Sequence, residues 1–164
     1  MTKRIIKPLL LVCVMILSVA AGAAAGNIVN IGTVEGKPGD IVELRVGLTN
    51  SDNVSSVQVS IPIDSRLELV EDSAMPKERT GKHSVTAGVK DGRLNIFVYS
   101  MSMGDILPGS GDIASVRLKL GNEPSDIRLS ADKVVLTNGN GSVLSGSTAT
   151  DGTVTIFCAK AEYS

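Results

Sequence analysis

The chain is short of the residues on which most active-site chemistry depends. Its 164 residues include one histidine, no tryptophan, two phenylalanines and two tyrosines. Zinc sites and Ser-His-Asp machinery usually need histidines in company, so His83 alone founds neither. It lies in the polar run Gly81-Lys82-His83-Ser84 and reads as a solvated loop residue. Carbohydrate-binding surfaces usually stack sugars on aromatic rings, and here the rings are limited to Phe97, Tyr99, Phe157 and Tyr163. Cysteine is scarce as well. Cys13 falls in an N-terminal apolar run, which leaves Cys158 as the only thiol beyond it. One thiol cannot form an internal disulfide, so packing alone must hold the fold. Cys158 reads as a half-buried strand residue, with an intermolecular bridge as the alternative. Helical periodicity is also missing: beyond the apolar run no window of a dozen residues repeats at 3.6.

The N-terminus has the layout of an export signal. Lys3, Arg4 and Lys7 precede the apolar run Leu9 to Ala20, and Ala23-Ala24-Ala25 supplies small residues for cleavage. This predicts a secretory signal peptide over residues 1–25, cut after Ala25 or nearby. The alternative, an uncleaved anchor, would need about 20 apolar residues, more than this run supplies. Cys13 sits inside the run and not just after it, which argues against a lipoprotein anchor. The exported protein is then residues 26–164, enough for one domain with a sizeable core. Three of the 16 basic residues and none of the 17 acidic ones belong to the signal. The exported chain therefore carries a net charge of about −4, with both signs scattered and no basic stripe for nucleic acid.

What the chain has in quantity is alternation. Residues 28–35 read as a first strand, and Gly36-Lys37-Pro38-Gly39-Asp40 has turn chemistry. From Ile41 to Thr49, Val42, Leu44, Val46 and Leu48 face one way, while Glu43, Arg45 and Thr49 face the other. From Ser56 to Asp64 the pattern is cleanest. Val57, Val59, Ile61 and Ile63 form an aliphatic face; Ser56, Gln58, Ser60 and Pro62 form a small, uncharged one. Leu67 to Val70 reads as a short strand. Residues 71–83, charged and containing Pro76, read as a crossing loop with solvated charges. Ser84 to Val89 and Arg93 to Ser100 flank Lys90-Asp91-Gly92, and Asp-Gly is the strongest hairpin signal in the chain. Met101 to Asp112 reads as a long loop. Ile113 to Leu120, Ile127 to Ser130, Val134 to Leu136 and Thr153 to Phe157 read as strands, with a second hairpin-type turn at Asn138-Gly139-Asn140-Gly141. Residues 159–164 read as a frayed tail. About nine short strands and no substantial helix predict an all-β sandwich or jelly roll.

The order of these pieces resembles a known family. Gly32-Thr33-Val34-Glu35-Gly36-Lys37-Pro38-Gly39-Asp40 precedes an alternating strand; Val57 to Asp64 and Leu67-Glu68-Leu69 follow. Then come Gly111-Asp112-Ile113-Ala114-Ser115-Val116-Arg117-Leu118 and, at the end, Asp151-Gly152-Thr153-Val154-Thr155-Ile156. Together they resemble the cohesin domain, the receptor module of bacterial cellulosomes and related secreted assemblies, over residues 27–157. The resemblance implies a nine-stranded jelly-roll sandwich, a fold shared with a superfamily of carbohydrate-binding modules. It also implies a non-catalytic role, that of gripping the helical dockerin module of another protein, with calcium in that partner and not in this chain. The implied partner-binding positions are Ser56, Gln58 and Ser60 together with Asn95, Phe97 and Tyr99. Well-known members often carry Asn and Asp, as acceptors for dockerin hydroxyls, where this chain has Ser56 and Gln58.

Three functions are thus weighed. The first is a secreted or cell-surface, monomeric module for a dockerin-type partner. The second is a carbohydrate-binding module of the same fold superfamily, with polysaccharide as ligand, which the absence of tryptophan disfavours. The third is a small hydrolase, which would have to work through carboxylates such as Asp64, Glu68 and Asp91 or Asp105, Asp112 and Asp151. Their spacing resembles no matched acid-base pair. Asp132, Asn138, Asn140 and Asp151 could offer oxygens to calcium, but no twelve-residue loop pattern is present, and turn roles suit them better.

Overall fold

The computed structural model describes residues 26–158 except residue 103; the expected signal peptide and the tail 159–164 lie outside it. In chain order the first strands are β1 (Ile28–Ile31), β2 (Val34–Gly36), β3 (Ile41–Asn50), β4 (Ser56–Pro62), β5 (Leu67–Leu69) and β6 (Met75–Pro76). A short 3-10 turn, Glu78–Thr80, leads to β7 (Ser84–Lys90) and β8 (Arg93–Tyr99). The rest are β9 (Gly109–Leu120), β10 (Ser125–Leu129), β11 (Lys133–Thr137), β12 (Thr148–Thr150) and β13 (Gly152–Ile156).

The chain folds as an all-β jelly-roll sandwich. One sheet runs β12-β1-β3-β9-β5, with β6 on the same edge of β9 as β5. The facing sheet runs β11-β4-β8-β7, and a small sheet, β10-β13-β2, completes the barrel-like body. The alternation read in the sequence is what closes the sandwich. Leu44, Val46 and Leu48 of β3 and Val116, Leu118 and Leu120 of β9 are buried, as are Val57, Val59 and Ile61 of β4 and Leu94, Ile96 and Val98 of β8. Two apolar faces are thereby removed from water against each other, the dominant favourable term for such a fold.

The structure departs from the sequence reading at several points. Residues 28–35 form two strands in different sheets. β1 pairs with β3, and beyond Gly32 the chain leaves to pair β2 with β13. β12 and β6 were not anticipated, because each is only two or three residues long and borrows its pairing from a distant strand. Residues 109–112 belong to β9, not to the long loop: they pair with Gly47–Asn50 of β3. A bulge between Val46 and Gly47 in that ladder shifts the alternation and hides the strand from a period-two search. Crossing residues 71–83 are not merely solvated. Lys77 pairs with Glu43, while the Arg79 guanidinium donates to the Leu48 and Leu107 carbonyls and to Asn50 Oδ1. His83 is buried instead of solvated, 9% exposed, and its Nε2 has no hydrogen-bond partner among the described residues. Cys158 is exposed and lies beyond the end of β13. No helix among the described residues is long and apolar enough to cross a membrane.

Candidate functional site

The outer face of the β11-β4-β8-β7 sheet can be written as a grid from its register. Thr137, Ser56, Tyr99 and Ser84 form one row across the four strands. Val135, Gln58, Phe97 and Thr86 form the next, followed by Lys133, Ser60, Asn95 and Gly88. Pro62, Arg93 and Lys90 close the grid at the far end. On β4 and β8 the positions between these are the buried Val57, Val59, Ile61, Leu94, Ile96 and Val98 of the core, so the outward direction of the side chains follows from the period of two. Both central strands are paired on both sides, so the middle of the face offers side chains and no free backbone.

All six residues singled out in the sequence fall on this one face, but they differ in what they can offer. Phe97 stands out at 39% exposure. Around it Gln58, Thr86, Tyr99 and Val135 border a shallow depression of about 310 Å³. Tyr99 is half-buried, as is Gln58, whose amide makes no side-chain hydrogen bond among the described residues. Ser56 is committed: its hydroxyl lies 2.5 Å from that of Thr137. Ser60 is only 4% exposed, and its hydroxyl donates to Asn95 Oδ1 at 2.8 Å. Asn95 in turn donates to the Arg93 carbonyl at 3.1 Å. Ser60 therefore lies on the outer face as expected, but it is buried there, its short side chain satisfied by its cross-strand neighbour. The sequence reading missed Thr86, Val135 and Thr137. Nothing local marks them; they join the site because β7 and β11 flank the β4–β8 pair.

The other candidate chemistries find no assembled site. Asp64 accepts from the Arg66 guanidinium at 2.7 Å and is held down to about 2 by that contact. Asp112 pairs with Arg45, and Asp151 with Arg128, whose hydrogen bonding lowers the Asp151 carboxyl. Asp64 and Asp151 are thus kept ionised by their own arginines, the opposite of the raised pKa a general acid requires. Of the oxygen donors considered for calcium, Asp132, Asn138 and Asp151 are already engaged within the protein. Asp132 accepts from Arg93 at 2.6 Å, and Asn138 Oδ1 closes its own turn by accepting from the Asn140 and Ser142 amides. Among the described residues, no three His, Cys, Asp or Glu side chains group as metal ligands would. A larger depression, about 830 Å³, opens between the free edges of β5 and β7, lined by Ile63, Leu69, Val89 and the acids Glu68, Glu71 and Asp72.

With the fold and the face in view, comparison with known proteins is decisive on one point. The Cohesin domain family matches residues 28–156. The chain belongs to the cohesin family. Cohesins are non-catalytic binding modules. Solved cohesins share the fold at low identity. One is CaCohA2 of Clostridium acetobutylicum, in a complex with an Arg-to-Asp variant of CaDoc0917: 19% identity, TM-score 0.68, covering 80% of this chain and 99% of that one. A non-cellulosomal cohesin from the archaeon Archaeoglobus fulgidus is 17% identical, TM-score 0.68, over 82% and 93%. The seventh ScaB type I cohesin from Pseudobacteroides cellulosolvens is 18% identical, TM-score 0.67, over 85% and 97%. Among curated proteins, none matches this chain.

Proposed function

We propose that this cohesin is an exported, non-catalytic receptor that grips a calcium-loaded, dockerin-type module of another protein with the outer face of β11-β4-β8-β7. The observation that carries the reading is Phe97, an aromatic side chain left 39% exposed among the uncharged rows of the sheet. Interface energy concentrates in such central aromatic anchors, surrounded by contacts that exclude water. Family membership supplies the class of function, and solved cohesins such as CaCohA2 are found in complexes with dockerins. The signal-like residues 1–25 support an extracellular or cell-surface setting, where a monomer would act as an adaptor within an assembly. Calcium belongs in this reading to the partner.

The test is a pull-down from the native secretome with the protein as bait, with and without calcium chelation. A captured protein with paired calcium loops, released on chelation, is the expected result. Capture of nothing, together with retention on a polysaccharide column, would move the assignment to carbohydrate binding. Once a partner is in hand, Phe97→Ala and Tyr99→Ala should each weaken binding by more than about 1 kcal/mol, read by calorimetry. Unchanged affinity in both folded variants would remove this face from consideration.

A further inference from the structure

We propose that the β11-β4-β8-β7 face selects an amphipathic helix that sets an aliphatic side chain against Phe97 and Val135 and turns acidic side chains toward Lys90 and Lys133. The inference rests on the reading above and specifies the chemistry and orientation of the partner element. The centre of the face has little to give a polar group. The Ser56 and Thr137 hydroxyls bond each other, Ser60 is buried on Asn95, and Asn95 is turned to the Arg93 carbonyl. A hydroxyl or charge brought onto Phe97 would lose its hydration and have only the Gln58 amide, the Thr86 hydroxyl and the Tyr99 phenol to turn to. An aliphatic side chain has no such cost and covers the exposed ring.

Charge gives the face a direction. The rows of Tyr99 and Phe97 contain no ionisable side chain other than the tyrosine itself, while Lys133, Arg93 and Lys90 gather at the other end. Asp132 is there too, but it is taken by Arg93 at 2.6 Å, and Asp91 sits at the hairpin tip. Neither Lys90 nor Lys133 forms an ion pair among the described residues, so that end is net positive and open to acidic side chains. Spacing fits a helix lying along the strands. At about 3.3 Å per strand residue, the Lys133 row lies roughly 7 Å from the Phe97 row and the Lys90 row roughly 13 Å. At about 1.5 Å per helical residue these distances are about one turn and somewhat over two turns from the aliphatic residue. An added strand does not fit, because the ladder leaves no free backbone beneath Phe97.

The decisive experiment is a displayed library built on a calcium-loaded dockerin domain with its exposed helix positions randomised, selected on the whole chain. The expected clones share Leu, Ile, Val or Met at one position and Asp or Glu one and two turns away. Their binding should fall at least tenfold on Phe97→Ala. It should fall at least fivefold on the double change Lys90→Glu and Lys133→Glu, and return when the clone's acids are replaced by lysine. Clones that need Phe97 but carry no acids, or that bind the double variant equally well, would overturn this inference while leaving the receptor reading intact. If no calcium-dependent clone emerges, or if every clone ignores Phe97→Ala, both are overturned.

Discussion

Gly152 shows how tightly single residues are constrained where the two ends of the described chain meet. A Cβ there would lie 2.0 Å from the Gly32 carbonyl oxygen and 2.8 Å from that of Ile31. Both obstacles are backbone and cannot swing away. Gly152→Ala should therefore cost at least about 2 kcal/mol, seen as a lower urea midpoint; a midpoint equal to wild type would mean that β1 and β13 separate freely. Arg79 is constrained differently. Its guanidinium, whose pKa burial pushes down, joins β3 to the 105–108 segment through two carbonyls and Asn50. Arg79→Met keeps the stem and leaves those acceptors unpaired, so a loss of about 2–3 kcal/mol is expected by the same assay. A loss under about 0.5 kcal/mol would show that water replaces the guanidinium without penalty.

At the scale of elements, the β7–β8 hairpin governs whether the face exists. Asp91 and Gly92 both have positive φ, 51° and 71°, the pairing that a two-residue type I′ turn requires. Asn tolerates this conformation as readily as Asp, whereas a β-branched side chain does not. Asp91→Asn should thus leave stability within about 0.5 kcal/mol, while Gly92→Val should cost about 1–3 kcal/mol. The turn also sets register: a slip of one residue would send Phe97 and Tyr99 inward and Ile96 and Val98 outward. Gly92→Val is therefore expected to weaken partner binding more than its loss of stability explains, measured at a temperature where the variant remains folded. Proportionate loss of both would show that the turn only stabilises.

For the molecule as a whole, acid should be the most revealing perturbation. The hydrogen bonds of Lys77 and Ser115 to Glu43 hold its carboxyl at about 2, down from 4.5. Arg66 holds Asp64 at about 2, down from 3.8, and Arg128 lowers Asp151. In each case the unfolded chain binds protons more readily than the folded one. Their contribution is full above about pH 4–5 and is lost as pH falls toward about 2. The urea midpoint should stay level from about pH 8 to 6 and fall between about pH 5 and 2. The fall should be shallower at high salt, since these pairs are partly exposed. A midpoint that holds down to about pH 2.5 would show that these pairs add nothing to stability.

How much of this was legible beforehand follows from the range of the forces involved. Alternating side chains in Val57 to Ile63 and Leu94 to Val98 announce their own inward face, because the period of two is local to a strand. The Asp91-Gly92 turn is equally local. The 109–112 start of β9 was hidden because its pattern is offset by a bulge that only the opposing β3 defines. Ser60 and His83 were misjudged because burial is decided by neighbours distant in sequence: Asn95 accepts the Ser60 hydroxyl, and no local signal places His83 inside. The sequence by itself determined the all-β class, the inner face of each long strand, the hairpin beneath Phe97 and the family. Only the tertiary structure decided which strands lie side by side, and hence which outward residues share one surface. Those adjacencies arise from pairing between strands far apart along the chain, where long-range packing and hydrogen bonding act and local periodicity carries no information.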